Sequence, residues 1–195
     1  ILKSRAKQNK ILVEELEAIT EKFGDERRSR LVPDVGEVKI EDLIEDEEII
    51  VSVSSGGYVK SVPSASYKKQ GRGGKGVKAS SSVEDVIEHL LSTSVHSYLL
   101  FFTDQGKVYR AKAHELPKTT RTAKGSLIHN VLSMSQDEKV QAIIDTRDYE
   151  TEKFLLIMTE KGTVKKSAFK DFDSNYKSLQ AIKLKDEDRV VSVKT

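Results

Sequence analysis

Residues 70–76 read Gln-Gly-Arg-Gly-Gly-Lys-Gly, with Lys68 and Lys69 just before them and Lys78 just after. Glycines let a partner approach the main chain closely. Bare N–H groups beside Gln70, Arg72 and Lys75, spaced by Gly71, Gly73, Gly74 and Gly76, suit an anion, above all the phosphate backbone of a nucleic acid. The same composition also serves as a solvated linker, so the rest of the chain has to decide. The run is not a P-loop, since no Gly-Lys-Ser/Thr opens a helix. No constellation points to catalysis. His89, His96, His114 and His129 are scattered without metal-ligand spacing. Acidic pairs such as Asp46/Glu47 sit in turn-like surroundings and do not make a general acid/base pair. With no cysteine, the chain has no disulfide, thiolate metal site or Cys nucleophile.

The elements around that loop come in two textures. Leu12, Leu16, Ile19 and Phe23 recur at three- and four-residue steps among charged residues, which predicts an amphipathic helix stopped at Gly24. Pro33 turns Val32 toward an extended conformation, so the helical part, residues 1–33, ends there. Residues 34–195 read as β. Three copies of one unit recur: an apolar run, a tight turn with glycine, then a strand carrying cations. They are Ile49 to Lys60, Tyr98 to Arg110 and Phe154 to Lys166, with turns that need positive φ at Gly57, Gly106 and Gly162. These glycines stand 49 and 56 residues apart. An acidic phrase also recurs, at Asp46-Glu47-Glu48-Ile49, Asp137-Glu138-Lys139-Val140 and Glu187-Asp188-Arg189-Val190, with a weaker instance at Asp85-Val86. A repeat of that length in short strands is one propeller blade of about four strands. The chain is mainly β, with three blades and the start of a fourth, and reads as a piece of a longer protein cut at both ends.

The formal net charge is only +2, so any nucleic-acid role must come from segregated charge. After each repeat glycine the chain turns basic: Lys60, then Arg110 and Lys112, then Lys165 and Lys166. Lys118, Arg121 and Lys124 form a further cluster. The acids gather elsewhere, at Glu41 to Glu48, Asp137 and Glu138, and Asp186 to Asp188. In an array of blades this predicts cations along one rim, a belt for bent duplex. No apolar run approaches the ~20 residues that span a bilayer.

In order and spacing, several stretches resemble the family of DNA gyrase A subunits. They are Lys22-Phe23-Gly24-Asp25-Glu26-Arg27-Arg28, the heptad Gln70–Gly76, Ser92 to Thr103, and Arg121-Thr122-Ala123-Lys124-Gly125. The heptad is similar to that family's box motif, with Gly71 where a cation usually stands. The likeness runs from the end of a breakage-reunion domain into the first blades of a C-terminal wrapping domain. It implies a β-pinwheel whose blades exchange strands, with double-stranded DNA wrapped around its basic perimeter. It implies that the box closes the wheel. It also implies a cytoplasmic parent enzyme, shared with gyrase B and a second copy of gyrase A, that introduces negative supercoils by ATP-driven strand passage. ATP and Mg2+ would act elsewhere in that parent, leaving this chain without a cofactor, metal site or catalytic tyrosine. Two alternatives stand beside it: the equivalent domain of topoisomerase IV, and a propeller-type protein-interaction scaffold.

Overall fold

The structure is a computed structural model that describes residues 4–25, 29, 40–67 and 85–195. The chain separates into two units, Ile1–Val38 and Lys39–Thr195.

In the first unit, helix α1 (Arg5–Phe23) is built from good helix formers such as Leu, Glu, Ala and Lys. The Gly24 amide closes it on the Thr20 carbonyl at 2.7 Å. The predicted glycine stop is there, but its backbone is extended (φ −68°, ψ 126°) and not left-handed. Glycine is needed for room, because a Cβ would run into the Thr20 carbonyl oxygen. Leu12, Leu16, Ile19 and Phe23 are each more than half exposed.

Among its described residues the second unit holds three antiparallel sheets. The first pairs β1 (Glu48–Ser54) with β2 (Tyr58–Pro63) and with β3 (Ile87–Ser94). The second pairs β4 (Tyr98–Thr103) with β5 (Lys107–Lys112) and with β7 (Val140–Thr146). The third pairs β8 (Phe154–Thr159) with β9 (Val164–Ala168) and with β11 (Val190–Lys194). Two short strands cross between repeats. β6 (Ser126–Leu127) follows β5 in sequence yet pairs with β2, and β10 (Ser178–Gln180) follows β9 yet pairs with β5. Each of the first two sheets therefore takes its fourth strand from the next repeat. The expected start of a fourth blade is absent among the described residues. The closing run Val190–Val193 lies in β11, where it completes the third sheet against β8.

The repeat is closest at the hairpin turns. Gly57, Gly106 and Gly162 have φ of 75°, 76° and 82°, as the turn type requires. Their amides donate to the carbonyls of Ser54, Thr103 and Thr159. The hydroxyls of those same residues accept the amides of Tyr58, Lys107 and Thr163 at 3.2, 3.3 and 3.1 Å. Beside each turn the neighbouring strand carries a bulge, at residues 87–89, 140–142 and 190–192.

The register corrects the acidic phrases. Asp85, Glu138 and Asp188 are the equivalent residues, each two before the bulge-pairing residue of β3, β7 or β11. Asp85 accepts the Gly56 amide (2.9 Å) and Asp188 the Lys161 amide (3.0 Å), capping the turn next door. The weak instance Asp85-Val86 is thus a full member of the set, and Asp46 to Ile49, which leads into β1, is the one outside it.

Side chains alternate across the strands, so each sheet has two faces. Ile49, Val51, Val53 and Val59 of the first sheet pack on Leu99, Phe101, Tyr109 and Ala111 of the second. Leu100, Phe102 and Val108 on the second sheet's other face pack on Leu155 and Ile157 of the third, with Phe169 and Phe172. The second sheet is buried on both faces. Burying each such Leu or Phe contributes about 1.5–3 kcal/mol.

Candidate nucleic-acid interface

Lys68, Lys69, Gln70 to Gly76 and Lys78 lie outside the described residues. The remaining predicted cations divide into two sets, and strand register decides the membership. Counting from the turn glycines, Lys60, Tyr109 and Lys165 occupy one position, while Ser61, Arg110 and Lys166 occupy the next. A one-residue step along a strand moves a side chain to the opposite face. The expected single row of Lys60, Arg110 and Lys165 is therefore split.

Lys60 and Lys165 turn to backbone. The expectation of Lys60 on a rim is corrected: it is 5% exposed. Its ammonium donates to the carbonyls of Arg121 and Ala123, both at 2.7 Å. Burial lowers its pKa, with Asp85 acting in the opposite sense. A buried ammonium needs such acceptors, and here they come from the segment that delivers β6. That segment also binds β2 through Pro117 O to the Ser61 amide and Ser61 O to the Thr119 amide, both 3.0 Å. Lys165 is exposed, and its Nζ donates to Ala181 O at 2.7 Å, just past β10. Both lysines tie down the exchanged strands.

Arg110, Lys112 and Lys166 instead lie over aromatic rings. The Arg110 guanidinium sits 4.0 Å from the Tyr98 ring centre and Lys112 Nζ 3.8 Å from it. At the corresponding place in the third sheet, Lys166 Nζ is 3.7 Å from the Phe154 ring centre. A ring face attracts a cation without neutralising it, so the charge remains available to an anion. Arg110 is also held by the Ser174 carbonyl and by Asp173 at 3.6 Å. Lys112 meets Glu41 at 3.4 Å. Around them opens a cavity of about 220 Å³, lined by Glu41, Tyr98, Arg110, Lys112, Tyr176 and Lys177 among others. Tyr176 is 74% exposed.

In the segment between β5 and β6, Lys124 lies 4.1 Å from the centre of the Tyr58 ring. Arg121 is half-buried, and its Nε has no hydrogen-bond partner among the described residues. Lys118 reaches Glu47. Sequence reasoning passed over Tyr98 and Tyr176, which line the cavity around Arg110 and Lys112. For Tyr98 the available signal was an aromatic opening the first strand of a repeat, at Tyr98 and again at Phe154, with a cation twelve residues on. A cation lying over a ring keeps its charge, and charge alone carries no base readout.

The described residues hold no group of three or more His, Asp or Glu placed to bind a metal. No described helix is long and apolar enough to cross a membrane.

A family model described as the DNA gyrase C-terminal domain, beta-propeller, matches residues 48–95, 97–146 and 153–195. Those stretches are the three hairpins with β3, β7 and β11. The chain is 45% identical over 175 residues to the DNA gyrase A subunit of Streptomyces coelicolor, covering 89% of this chain and 20% of that protein. It is 42% identical over 193 residues to the DNA gyrase A subunit of Mycobacterium leprae, covering 98% of this chain and 15% of that protein. The chain therefore spans a fifth or less of these relatives. Among solved structures, the C-terminal domain of DNA topoisomerase IV aligns with a TM-score of 0.66 at 29% identity, covering 77% of this chain and 46% of that one. The DNA gyrase A C-terminal domain aligns with a TM-score of 0.59 at 28% identity, covering 75% and 47%.

Proposed function

This chain belongs to the family of DNA gyrase C-terminal β-propeller domains, and from that premise we propose that it binds duplex DNA along its outer hairpins and bends it for a parent type II topoisomerase. The observation that carries the reading is the repeated brace: Arg110 and Lys112 on Tyr98, and Lys166 on Phe154. Arg121 and Lys124 extend this set along the segment beside β2. Lys60 and Lys165 act indirectly, by holding the segments that β6 and β10 belong to. The glycine-rich heptad and Lys68, Lys69 and Lys78 add further positive charge for the duplex. In the parent, this wrap presents a DNA segment for ATP-driven strand passage that introduces negative supercoils. Gyrase B and a second copy of gyrase A complete that cytoplasmic enzyme, with ATP and Mg2+ bound outside this chain.

The equivalent role in topoisomerase IV is the second reading, favoured by the higher TM-score to that enzyme's C-terminal domain. The parent enzyme separates them: net negative supercoiling supports gyrase, whereas relaxation and decatenation alone support topoisomerase IV.

DNA binding is tested by fluorescence anisotropy of a short duplex across a salt series. Each neutralised phosphate contributes about −0.9 to the slope of log affinity against log salt. R110A/K112A is expected to weaken binding and to flatten the slope, by at most about 2. Absence of salt-dependent binding would remove the reading in favour of a protein-interaction scaffold.

A further inference from the structure

Three cations are each held by one short acidic segment that precedes β1. Glu41 reaches Lys112 at 3.4 Å, Asp46 reaches Arg147 at 3.2 Å, and Glu47 reaches Lys118. These partners are 71, 101 and 71 residues apart in sequence, so the fold and not the local chain assembles them. The three contacts differ in kind. Asp46 also accepts the Ser94 hydroxyl, which with Arg147 keeps its pKa below the ordinary value, and it ties the first sheet to the second. Glu41 and Glu47 have no such anchor: among the described residues, their side-chain oxygens meet only the lysines. Glu41 stands inside the Tyr98–Arg110–Lys112–Tyr176 cavity, with its carboxylate on the ammonium that lies over the Tyr98 ring.

A carboxylate is the protein's nearest counterpart of a phosphate diester: singly charged, with oxygens that accept from the same donors. Partly exposed pairs of this kind are weak and exchange readily. We infer that Glu41 and Glu47 are internal stand-ins for DNA phosphates, occupying Lys112 and Lys118 until a duplex displaces them. The inference rests on the DNA-binding reading above and adds its regulation: the acidic segment sets how tightly the cations take the duplex. It also shapes the salt response. Salt loosens the internal pairs as well as the DNA contacts, so the two effects oppose each other and the slope is shallower than the number of contacts implies.

The test is duplex anisotropy across salt on the full 195-residue chain, comparing wild type, E41Q/E47Q and E150Q/E152Q. The last pair removes the same charge from exposed residues of the segment before β8. E41Q/E47Q is expected to bind about three- to tenfold tighter, a gain of the size that two weak pairs allow, and with a steeper slope. E150Q/E152Q should move far less. In a K112A/K118A background the gain from E41Q/E47Q should vanish. Unchanged affinity and slope in E41Q/E47Q while wild type binds would overturn the inference and leave the DNA reading standing. An equal gain in E150Q/E152Q would also overturn it, as an effect of overall charge. Binding by E41Q/E47Q alone would support it strongly. No binding by any form at low salt would overturn it together with the DNA reading.

Discussion

The second and third sheets are built from the same hairpin and differ in what surrounds it. The second has four strands and apolar residues buried on both faces. Among the described residues the third has three strands, and one of its faces is open. Phe154, Leu156, Met158 and Val164 are 47%, 36%, 39% and 59% exposed. Their register equivalents on the second sheet, Tyr98, Leu100, Phe102 and Val108, all lie in or against a core. The alternation of apolar residues is therefore a property of the repeat, while burial is a property of its neighbours. A repeat of this kind gains its stability at interfaces between units.

The sharpest way to break this comparison uses one residue type at one register position. Leu100 is 1% exposed and its equivalent Leu156 is 36% exposed. Leu100→Ala should cost about 2–5 kcal/mol, as core Leu truncations do. Leu156→Ala should cost under about 1 kcal/mol, in the range of surface substitutions with some lost contact. Urea denaturation of both variants measures this. Equal costs would mean that the third sheet's outer face is covered in solution.

A smaller contrast comes from the turns. Gly106 and Gly162 share the same positive φ, so alanine incurs the left-handed penalty of about 1–2 kcal/mol at both. At Gly106 the new Cβ would also meet the Ile182 carbonyl at 2.5 Å and its side chain at 2.9 Å. At Gly162 it would meet nothing within 4 Å. Gly106→Ala should thus lower the urea midpoint clearly more than Gly162→Ala. The difference reports how tightly residues beyond the exchanged strand β10 clamp the second turn.

Much of this was legible in the sequence because the repeat writes itself in spacing. Glycine with positive φ at three fixed positions marks the hairpins, and the apolar runs mark β1, β4 and β8. The predicted start of a fourth blade failed because a short run such as Val190–Val193 carries no sign of which strand it joins. β6 and β10 are two and three residues long and pair with a sheet already passed, which no local pattern reveals. The cations were found as residues and misplaced as a row. Lys60 and Arg110 look alike after their glycines, yet one residue of register sends the first onto backbone carbonyls and the second onto the Tyr98 ring. The Ser/Thr three residues before each turn glycine was readable and went unread.

The smallest effect should separate the second sheet by pH. At the position where Asp188 caps a turn in the third sheet, the second sheet has Glu138, whose side chain is fully buried. Glu138 accepts from Lys107 Nζ at 2.6 Å and from the Tyr109 hydroxyl at 3.1 Å. The hydrogen bond to Glu138 raises the Lys107 pKa above 10.5, and burial raises that of Tyr109 above 10.0. Both groups hold their protons more tightly when folded. The stability they contribute is complete below about pH 10 and is lost as pH rises through the raised values. Lys107→Met together with Tyr109→Phe should remove part of this alkaline loss, although it leaves Glu138 poorly partnered and lowers stability at neutral pH. Urea midpoints at neutral pH and in the alkaline range give the comparison. An alkaline loss identical in wild type and double variant would place the titrating groups elsewhere. Asp188 responds at the opposite end: burial opposes its charge, but the amides of Lys161 and Arg189 hold its pKa below 3.8. Its contribution is present above that value and is lost on acidification, so Asp188→Asn should lower stability above the acid range and remove the acid loss that Asp188 causes, leaving the alkaline limb unchanged.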